Sequence, residues 1–202
     1  MMLATVFGAL LFVALIIGDW YQFTSLHGGT SRYGFGVARR RDLLTIQPAH
    51  LHTVFGQHRA LQLPHGVARW FPEQAVIVVR PSYRLFSLRF RTAWPLKGTI
   101  DIASDPQQGG LVFTLVKRIP WTSAILTMGW LTLVAMGTLM FVVMFWIDGG
   151  FRSAGGVLLA LGIVALGLLV LAFGMILLSL AYRLEDQRLM HVYRELQTAL
   201  TA

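Results

Sequence analysis

The sequence contains no cysteine and few charged residues, and both shortages restrict what the protein can be. Without cysteine the chain has no disulfide, no thiolate nucleophile and no cysteine-ligated zinc or iron–sulfur site. Only 13% of its 202 residues are charged, compared with about a quarter in soluble domains, whereas 55% are hydrophobic. A soluble protein of this size would lack enough polar residues for its surface, so the composition indicates a membrane protein.

Charged residues are absent from three long runs, each comparable with the roughly 20 apolar residues that cross a bilayer core. The runs are residues 2–18, 121–147 and 154–182. Because only residues 148–153 separate the last two runs, these are predicted to form an antiparallel hairpin. The first run could be a cleaved signal peptide, but it lacks a basic n-region and a small-residue cleavage site. We therefore interpret it as a retained anchor.

Basic residues are distributed unevenly around the three predicted spans. Nine Lys and Arg side chains lie near span ends on the side of the inserted segment and the C-terminus, whereas the opposite side has only Arg152. Such an excess is typical of the cytoplasmic side of a membrane. The sequence therefore predicts a multi-pass protein of the cell inner membrane, with its N-terminus outside and the inserted segment and C-terminus in the cytoplasm.

The segment between the first and second spans is predicted to be β-rich. The strand candidates, chosen for β-branched or alternating apolar residues, are residues 43–46, 51–55, 74–80, 86–91, 98–102 and 111–117. The third and fourth candidates are predicted to form one hairpin. The last two, joined by the turn-rich residues 105–110, are predicted to form a second. One small sheet or a partly closed barrel is the economical interpretation.

The predicted fold class is therefore membrane α-helical, with three transmembrane helices and an inserted small β-rich cytoplasmic domain. The predicted parts are a first transmembrane helix (1–23), the basic domain (24–119), a transmembrane hairpin (120–182) and an amphipathic C-terminal helix (183–202). The last helix carries an apolar stripe at helical spacing, formed by Leu189, Tyr193, Leu196 and Leu200. The stripe could pack on the β domain, lie on the membrane or pair with another chain.

The segment from Phe90 to Ile100 carries a weak family resemblance. Its sequence, FRTAWPLKGTI, is followed by a hairpin, Pro120, two spans and a charged tail. This order resembles a set of uncharacterised bacterial membrane proteins with the motif Arg-Asn-Ser-aromatic-x-Pro-x-x-x-Gly-x-Ile. Thr92 and Ala93 stand where that motif has Asn and Ser, and the spacing from Pro to Gly is shorter. The resemblance covers about residues 74–200 and implies this architecture but no activity.

No pattern of residues points to catalysis or to a cofactor, so we expect no catalytic residue, cofactor or metal. The inserted domain has only four carboxylates, which are Asp42, Glu73, Asp101 and Asp105, and none of the three uncharged runs contains an Asp, Glu, Lys, Arg or His. Four histidines lie close together in the sequence, namely His50, His52, His58 and His65. His50 and His52 would share one face of a strand and could contribute to a metal site. We interpret all four as surface histidines.

Two other patterns indicate interaction with partners. The domain holds 13 basic against four acidic residues, a net charge of about +9, which favours contact with an acidic surface. The candidate docking residues are Arg39, Arg40, Arg41, Lys117 and Arg118. The last span carries small residues every seven positions, a pattern typical of close helix packing, at Ala160, Gly167, Gly174 and Ala181.

These observations favour a non-catalytic accessory, assembly or scaffold subunit of a membrane protein complex. Its basic domain would dock on an acidic partner or on anionic lipid, so the expected partners are membrane lipids and other membrane subunits, without nucleic acid. The alternative is a membrane-associated enzyme acting on a lipid or lipid-linked substrate, with the histidines as its polar centre. Convergence of the histidines with Asp42 or Glu73 would favour the enzyme, and dispersal would favour the subunit.

Overall fold

A computed structural model of the chain describes residues 2–82, 92–104 and 110–202, with side chains from Thr5 onward. The described chain divides into two compact units. One consists of Met1–Ser123 together with Leu184–Ala202, and the other of Ala124–Arg183. The first unit contains a β-sheet and the second contains two helical segments.

Helices account for most of the apolar sequence. They are α1 (Met2–Thr24), α2 (Pro48–Phe55), α3 (Trp121–Ile147) and α4 (Ala154–Thr201), with short 3-10 helices at Gly28–Thr30, Pro72–Gln74 and Gly150–Arg152. By length and composition, α1, α3 and α4 are each able to cross a membrane. Most of the large apolar side chains along them are exposed. The three predicted apolar helices are therefore confirmed.

The helix α4 continues without a break well beyond the end of its apolar run at Tyr182, as predicted. The apolar stripe of its last part is fully buried at Leu189, Tyr193, Leu196 and Leu200. It packs on the sheet, where a Cβ added at Gly98 would lie 3.4 Å from Leu189 Cδ1. The sequence left open whether the stripe packs on the β domain, on the membrane or on another chain. In the structure it packs on the β domain.

The sheet has six antiparallel strands. They are β1 (Phe35–Leu44), β2 (Ala60–Leu63), β3 (Gly66–Phe71), β4 (Val76–Pro81), β5 (Lys97–Ser104) and β6 (Leu111–Ile119), in the spatial order β1-β6-β5-β4-β3-β2. The predicted hairpin of residues 98–102 and 111–117 is confirmed by the pairing of β5 with β6. Most of its predicted turn, residues 105–109, lies outside the described residues.

The other predicted hairpin is tested only in its first strand. Residues 76–81 form β4, but β4 pairs with β3 on one edge and with β5 on the other. The strand predicted at residues 86–91 lies outside the described residues. Within the described part of the chain, β4 thus pairs with two strands, and neither of them is the hairpin partner that the sequence predicted.

Two of the weaker strand predictions need correction. Residues 43–46 cover only the end of β1, which begins at Phe35. Residues 51–55 are wrong as a strand, because they belong to α2. Pro48 suits the first turn of that helix, where its missing N–H is not needed, and the spacing of Leu51 and Phe55 places both on one buried face.

The two faces of the sheet are covered differently. One face, called here the helix face, carries Ile77, Ile100 and Leu115 beneath the last part of α4. The opposite face, the linker face, is covered by the end of α1 and by the linker (residues 25–34), which connects α1 to β1. On the linker face, Phe71, Val76 and Val78 pack with Leu26. The linker therefore belongs to the folded domain.

Candidate functional site

Basic side chains on the linker face bind the main chain of α1 and the linker. Arg69 Nη1 donates a hydrogen bond to the Leu26 carbonyl (2.8 Å), and Arg80 Nη1 donates one to the Thr24 carbonyl. Lys97 Nζ donates to the Thr30 carbonyl (2.9 Å), and Arg118 Nη1 donates to the Gly34 carbonyl (3.0 Å). The Thr24 carbonyl is the last of α1, and such carbonyls lack intrahelical donors and carry partial negative charge, so the Arg80 cation is favourable there. Part of the domain's positive charge is therefore used to hold its own anchor.

Lys97 is the most deeply buried of these cations. Its side chain is fully buried, and its ammonium lies 4.8 Å from the centre of the Phe23 ring in α1. Burial lowers the pKa of Lys97 to about 8, and the charges of Arg118 and Arg80 contribute in the same direction. The cation–π contact and the bond to the Thr30 carbonyl compensate only part of this desolvation.

Asp19 links α1 to the start of α3. Its carboxylate is 8% exposed and accepts hydrogen bonds from the backbone N–H of Thr122 (3.0 Å), from Thr122 Oγ1 (2.6 Å) and from the Tyr33 hydroxyl (2.7 Å). A carboxylate is favourable at the first turn of a helix, where backbone N–H groups lack partners. Burial, together with the hydrogen bond to Asp19 and its charge, raises the pKa of Tyr33 to about 12. Asp19 thus caps α3 from a different helix.

The predicted docking residues divide into exposed and internal groups. Arg39, Arg40 and Arg41 are exposed on the edge strand β1. Arg40 pairs with Asp42 at 2.9 Å on the helix face, and its two neighbours project from the linker face. Lys117 is only 8% exposed and pairs with Asp186 of α4, so its charge serves an internal contact.

Arg118 is half-buried and lies beside an open groove. The groove is lined by Gly36, Val37, Ala38, Arg39, Val116 and Arg118. The Nε atom of Arg118 is buried and has no hydrogen-bond acceptor among the residues that the structure describes. Next to the groove, Phe35 packs edge-on against Trp121, the first residue of α3, with ring centres 5.5 Å apart. Cations and two aromatic rings, of which the Trp121 indole is amphipathic, are thus neighbours where α3 begins.

The four histidines singled out in the sequence are dispersed. His50 and His52 lie on α2, where residues two apart point in different directions, so the expectation that they share a face is wrong. His52 packs against Trp70 at 4.5 Å, and His58 lies in the exposed turn after α2. Among the described residues, His65, between β2 and β3, is the one of the four that pairs with a carboxylate, which is that of Glu195 in α4.

The carboxylates proposed as partners of the histidines are also engaged elsewhere. Asp42 accepts hydrogen bonds from Arg40 and, at 2.9 Å, from the Tyr193 hydroxyl. Glu73 pairs with Arg59 at 2.6 Å. In the part of the chain that the structure describes, these two carboxylates are thus paired with arginine and tyrosine side chains rather than with one of the four histidines.

One cluster of ligand-type side chains was missed in the sequence. His65, His191 and Glu195 each offer a nitrogen or oxygen atom, and these atoms all lie within 4.8 Å of one another. His65 Nδ1 is hydrogen-bonded to Glu195 Oε1, and the His65 backbone N–H donates to Glu195 Oε2 at 3.1 Å. The only signal in the sequence is the spacing of His191 and Glu195, four residues apart on a helix, which places both side chains on one face.

The small residues of α4 lie against α3 within the second unit. A Cβ added at Gly167 would be 2.8 Å from Thr138 Cγ2, and one at Gly174 would be 2.6 Å from Trp130 Cη2. Ala160 and Ala181, seven residues to either side, are buried. Both glycines therefore occupy positions where any larger residue would overlap α3.

Comparison of the chain with protein-family models, with curated proteins and with solved structures found no significant match. The resemblance of residues 74–200 to bacterial membrane proteins therefore stays a prediction, and the function has to be inferred from the geometry above.

Proposed function

We propose that this protein is a non-catalytic accessory or scaffold subunit of a membrane protein complex, anchored by α1, α3 and α4. Its sheet domain lies on the cytoplasmic side and binds anionic lipid headgroups through the linker-face edge of β1. The observation that carries this proposal is the groove formed by Arg39 and Arg118 beside the Phe35–Trp121 pair. The dispersal of the four histidines supports a binding role over the enzymatic alternative.

Anionic lipid fits this edge better than an acidic protein does. Aromatic residues such as Phe35 and Trp121 are 38% and 44% exposed at the point where an apolar helix begins, which is the usual depth of an interfacial aromatic belt. Basic side chains close to an anionic leaflet each contribute about 1 kcal/mol of attraction.

The proposed sidedness rests on charge and on one structural relation. The last part of α4 packs on the sheet, so the domain and the C-terminus lie on the same side of any membrane that the apolar helices cross. The nine basic residues near span ends on that side, against Arg152 alone on the other, favour the cytoplasm.

The arginines of β1 also have a simpler explanation that an experiment can separate. Charged side chains on an edge strand discourage pairing with strands of other molecules, whichever face they project from. Lipid docking instead requires the linker-face residue Arg39 and does not require Arg40, which projects from the helix face beside Asp42. Arg40→Gln is therefore a matched control for Arg39→Gln, because both remove one exposed charge from the same strand.

The test uses the intact chain in lipid nanodiscs, made either of phosphatidylcholine alone or with added phosphatidylglycerol. We expect the backbone amides of residues 36–41 to exchange hydrogen more slowly in the anionic discs. Arg39→Gln should reduce this protection, whereas Arg40→Gln should leave the protection unchanged. Added salt should weaken the protection, because exposed charges are screened within about 8 Å at physiological ionic strength. Equal exchange in both lipids would contradict lipid docking. Slower exchange that appears only when a co-purifying acidic subunit is present would also contradict it and would indicate a protein partner instead.

A further inference from the structure

We propose that His65, His191 and Glu195 form a binding site for a divalent transition-metal ion of the Zn²⁺ class. The bound ion would join the turn between β2 and β3 to the last part of α4. This inference is independent of lipid docking, since the cluster projects from a different part of the domain and involves none of the exposed arginines of β1.

The chemistry of the cluster selects the class of ion. Two imidazole nitrogens and one carboxylate oxygen suit zinc and similar metals, whereas Mg²⁺ and Ca²⁺ prefer oxygen ligands alone. Three protein ligands leave a fourth position for water, as in open zinc sites. Both histidines are more than half exposed, so an ion can reach them from solvent.

The distances are close to those of a metal site. Ligand atoms about 2.1 Å from a tetrahedral zinc ion lie about 3.4 Å from one another. His191 Nε2 is 3.9 Å from Glu195 Oε1, and no pair of the three ligand atoms is further apart than 4.8 Å. For all three atoms to reach a common centre, the ion has to replace the hydrogen bond between His65 Nδ1 and Glu195 Oε1, whose proton is released to solvent, and the exposed histidine side chains have to rotate.

The backbone holds the His65 turn in place for such a site. A Cβ at Gly66 would lie 2.5 Å from Val192 Cγ1, so glycine is needed for the turn to approach α4 this closely. The His65 carbonyl accepts hydrogen bonds from the backbone N–H of Ser82 (2.8 Å) and from Ser82 Oγ (3.1 Å). These contacts fix the main chain from which the His65 side chain projects.

His191 distinguishes a metal site from a simple hydrogen-bonded contact. The bonds between His65 and Glu195 already connect the turn to the helix without any ion. His191 is 3.9 Å from Glu195, which is too far for a hydrogen bond, and packs edge-on against His65 with ring centres 4.7 Å apart. A hydrogen-bonded contact does not need this side chain, whereas a three-ligand metal site does.

The experiment titrates Zn²⁺ into the intact, chelator-stripped protein in detergent, purified through a tag without histidine, and follows binding by calorimetry. We expect one ion per chain. We also expect a raised melting temperature, because ligands that bind only the folded state stabilise it. His191→Ala should weaken binding by at least about 100-fold, since even loss of a supporting contact costs 10- to 100-fold. The exposed His58→Ala variant is the matched control and should bind as the wild type does.

The outcomes separate cleanly because His191 is exposed and its removal leaves the His65–Glu195 contact intact. Equal affinity in His191→Ala and wild type would place the ion elsewhere and overturn the site. Absence of saturable binding by the wild type would do the same. Co²⁺ provides a second measurement: its visible absorption bands should appear in the wild type and in His58→Ala, and disappear in His191→Ala.

Discussion

At the scale of single residues, burial changes what the charges of the domain do. Lys97 and Lys117 both count toward its positive charge, yet both are buried and bonded within the fold. They differ in their partners. Lys117 faces the carboxylate of Asp186, whereas Lys97 has a carbonyl and an aromatic ring. Because a buried charge without a counter-charge costs stability, the two lysines should respond oppositely to removal.

Replacement of Lys97 by Met tests this difference. A pKa lowered from 10.5 to about 8 corresponds to about 3 kcal/mol of destabilisation at neutral pH. Losing the bond to the Thr30 carbonyl offsets about 1–2 kcal/mol of the gain. We therefore expect Lys97→Met to melt at an equal or higher temperature than the wild type. Lys117→Met should melt lower, because it leaves Asp186 without its partner. A large destabilisation by Lys97→Met would contradict this account.

The same lysine predicts how stability depends on pH. Between pH 8 and about 10, folded Lys97 is neutral while the unfolded chain still binds the proton. The unfolded state then holds more protons, so stability rises with pH across this window. The raised pKa of Tyr33 acts in the opposite direction only above pH 10. Thermal unfolding in detergent should show this rise in the wild type and not in Lys97→Met.

At the scale of elements, the close approach of α3 and α4 depends on two glycines. Leu at Gly167 or Gly174 would overlap Thr138 or Trp130, and overpacking of this kind costs about 1–3 kcal/mol. Gly162 lies on the same helix, but a Cβ added there meets nothing within 4 Å. We expect Gly167→Leu and Gly174→Leu to lower the melting temperature in detergent. Gly162→Leu should not lower it, and equal effects at all three positions would show that packing is not the cause.

The elements also show which parts of the fold a sequence can specify. The apolar runs of α1, α3 and α4 are predicted from their length and lack of charge, the β5–β6 hairpin from its turn-rich connection, and the stripe on the last part of α4 from its helical spacing. The segment of α2 was assigned to a strand because a short apolar run fits either structure. β1 was largely missed because an edge strand exposed on both faces has no apolar alternation.

The candidate sites depend on contacts that no local pattern reveals. His65 meets Glu195 across 130 residues of sequence, so its role appears only when the turn before β3 is placed against α4. Likewise, strand register places Arg69, Lys97 and Arg118 against the linker and Arg80 against the end of α1. Composition predicted the excess of positive charge, but only the fold separates the exposed arginines from those that bind the protein's own main chain.

At the scale of the whole molecule, sidedness is the claim on which the proposed function rests. The sheet and the last part of α4 share one compact unit, and Asp19 of α1 caps the start of α3 in that same unit. Electrostatic docking on the anionic cytoplasmic leaflet is possible only if this unit faces the cytoplasm. The residues between α3 and α4 must then lie outside.

Labelling of single cysteines with a membrane-impermeant maleimide tests that claim most directly, because the natural chain contains no cysteine to interfere. Exposed positions for the probes are Gln57 in the domain, Asp148 after α3 and Ala202 at the C-terminus. In intact bacterial spheroplasts, we predict that Asp148→Cys is labelled, whereas Gln57→Cys and Ala202→Cys are labelled only after the membrane is permeabilised. Labelling of Gln57→Cys in intact spheroplasts would place the domain outside and contradict the account.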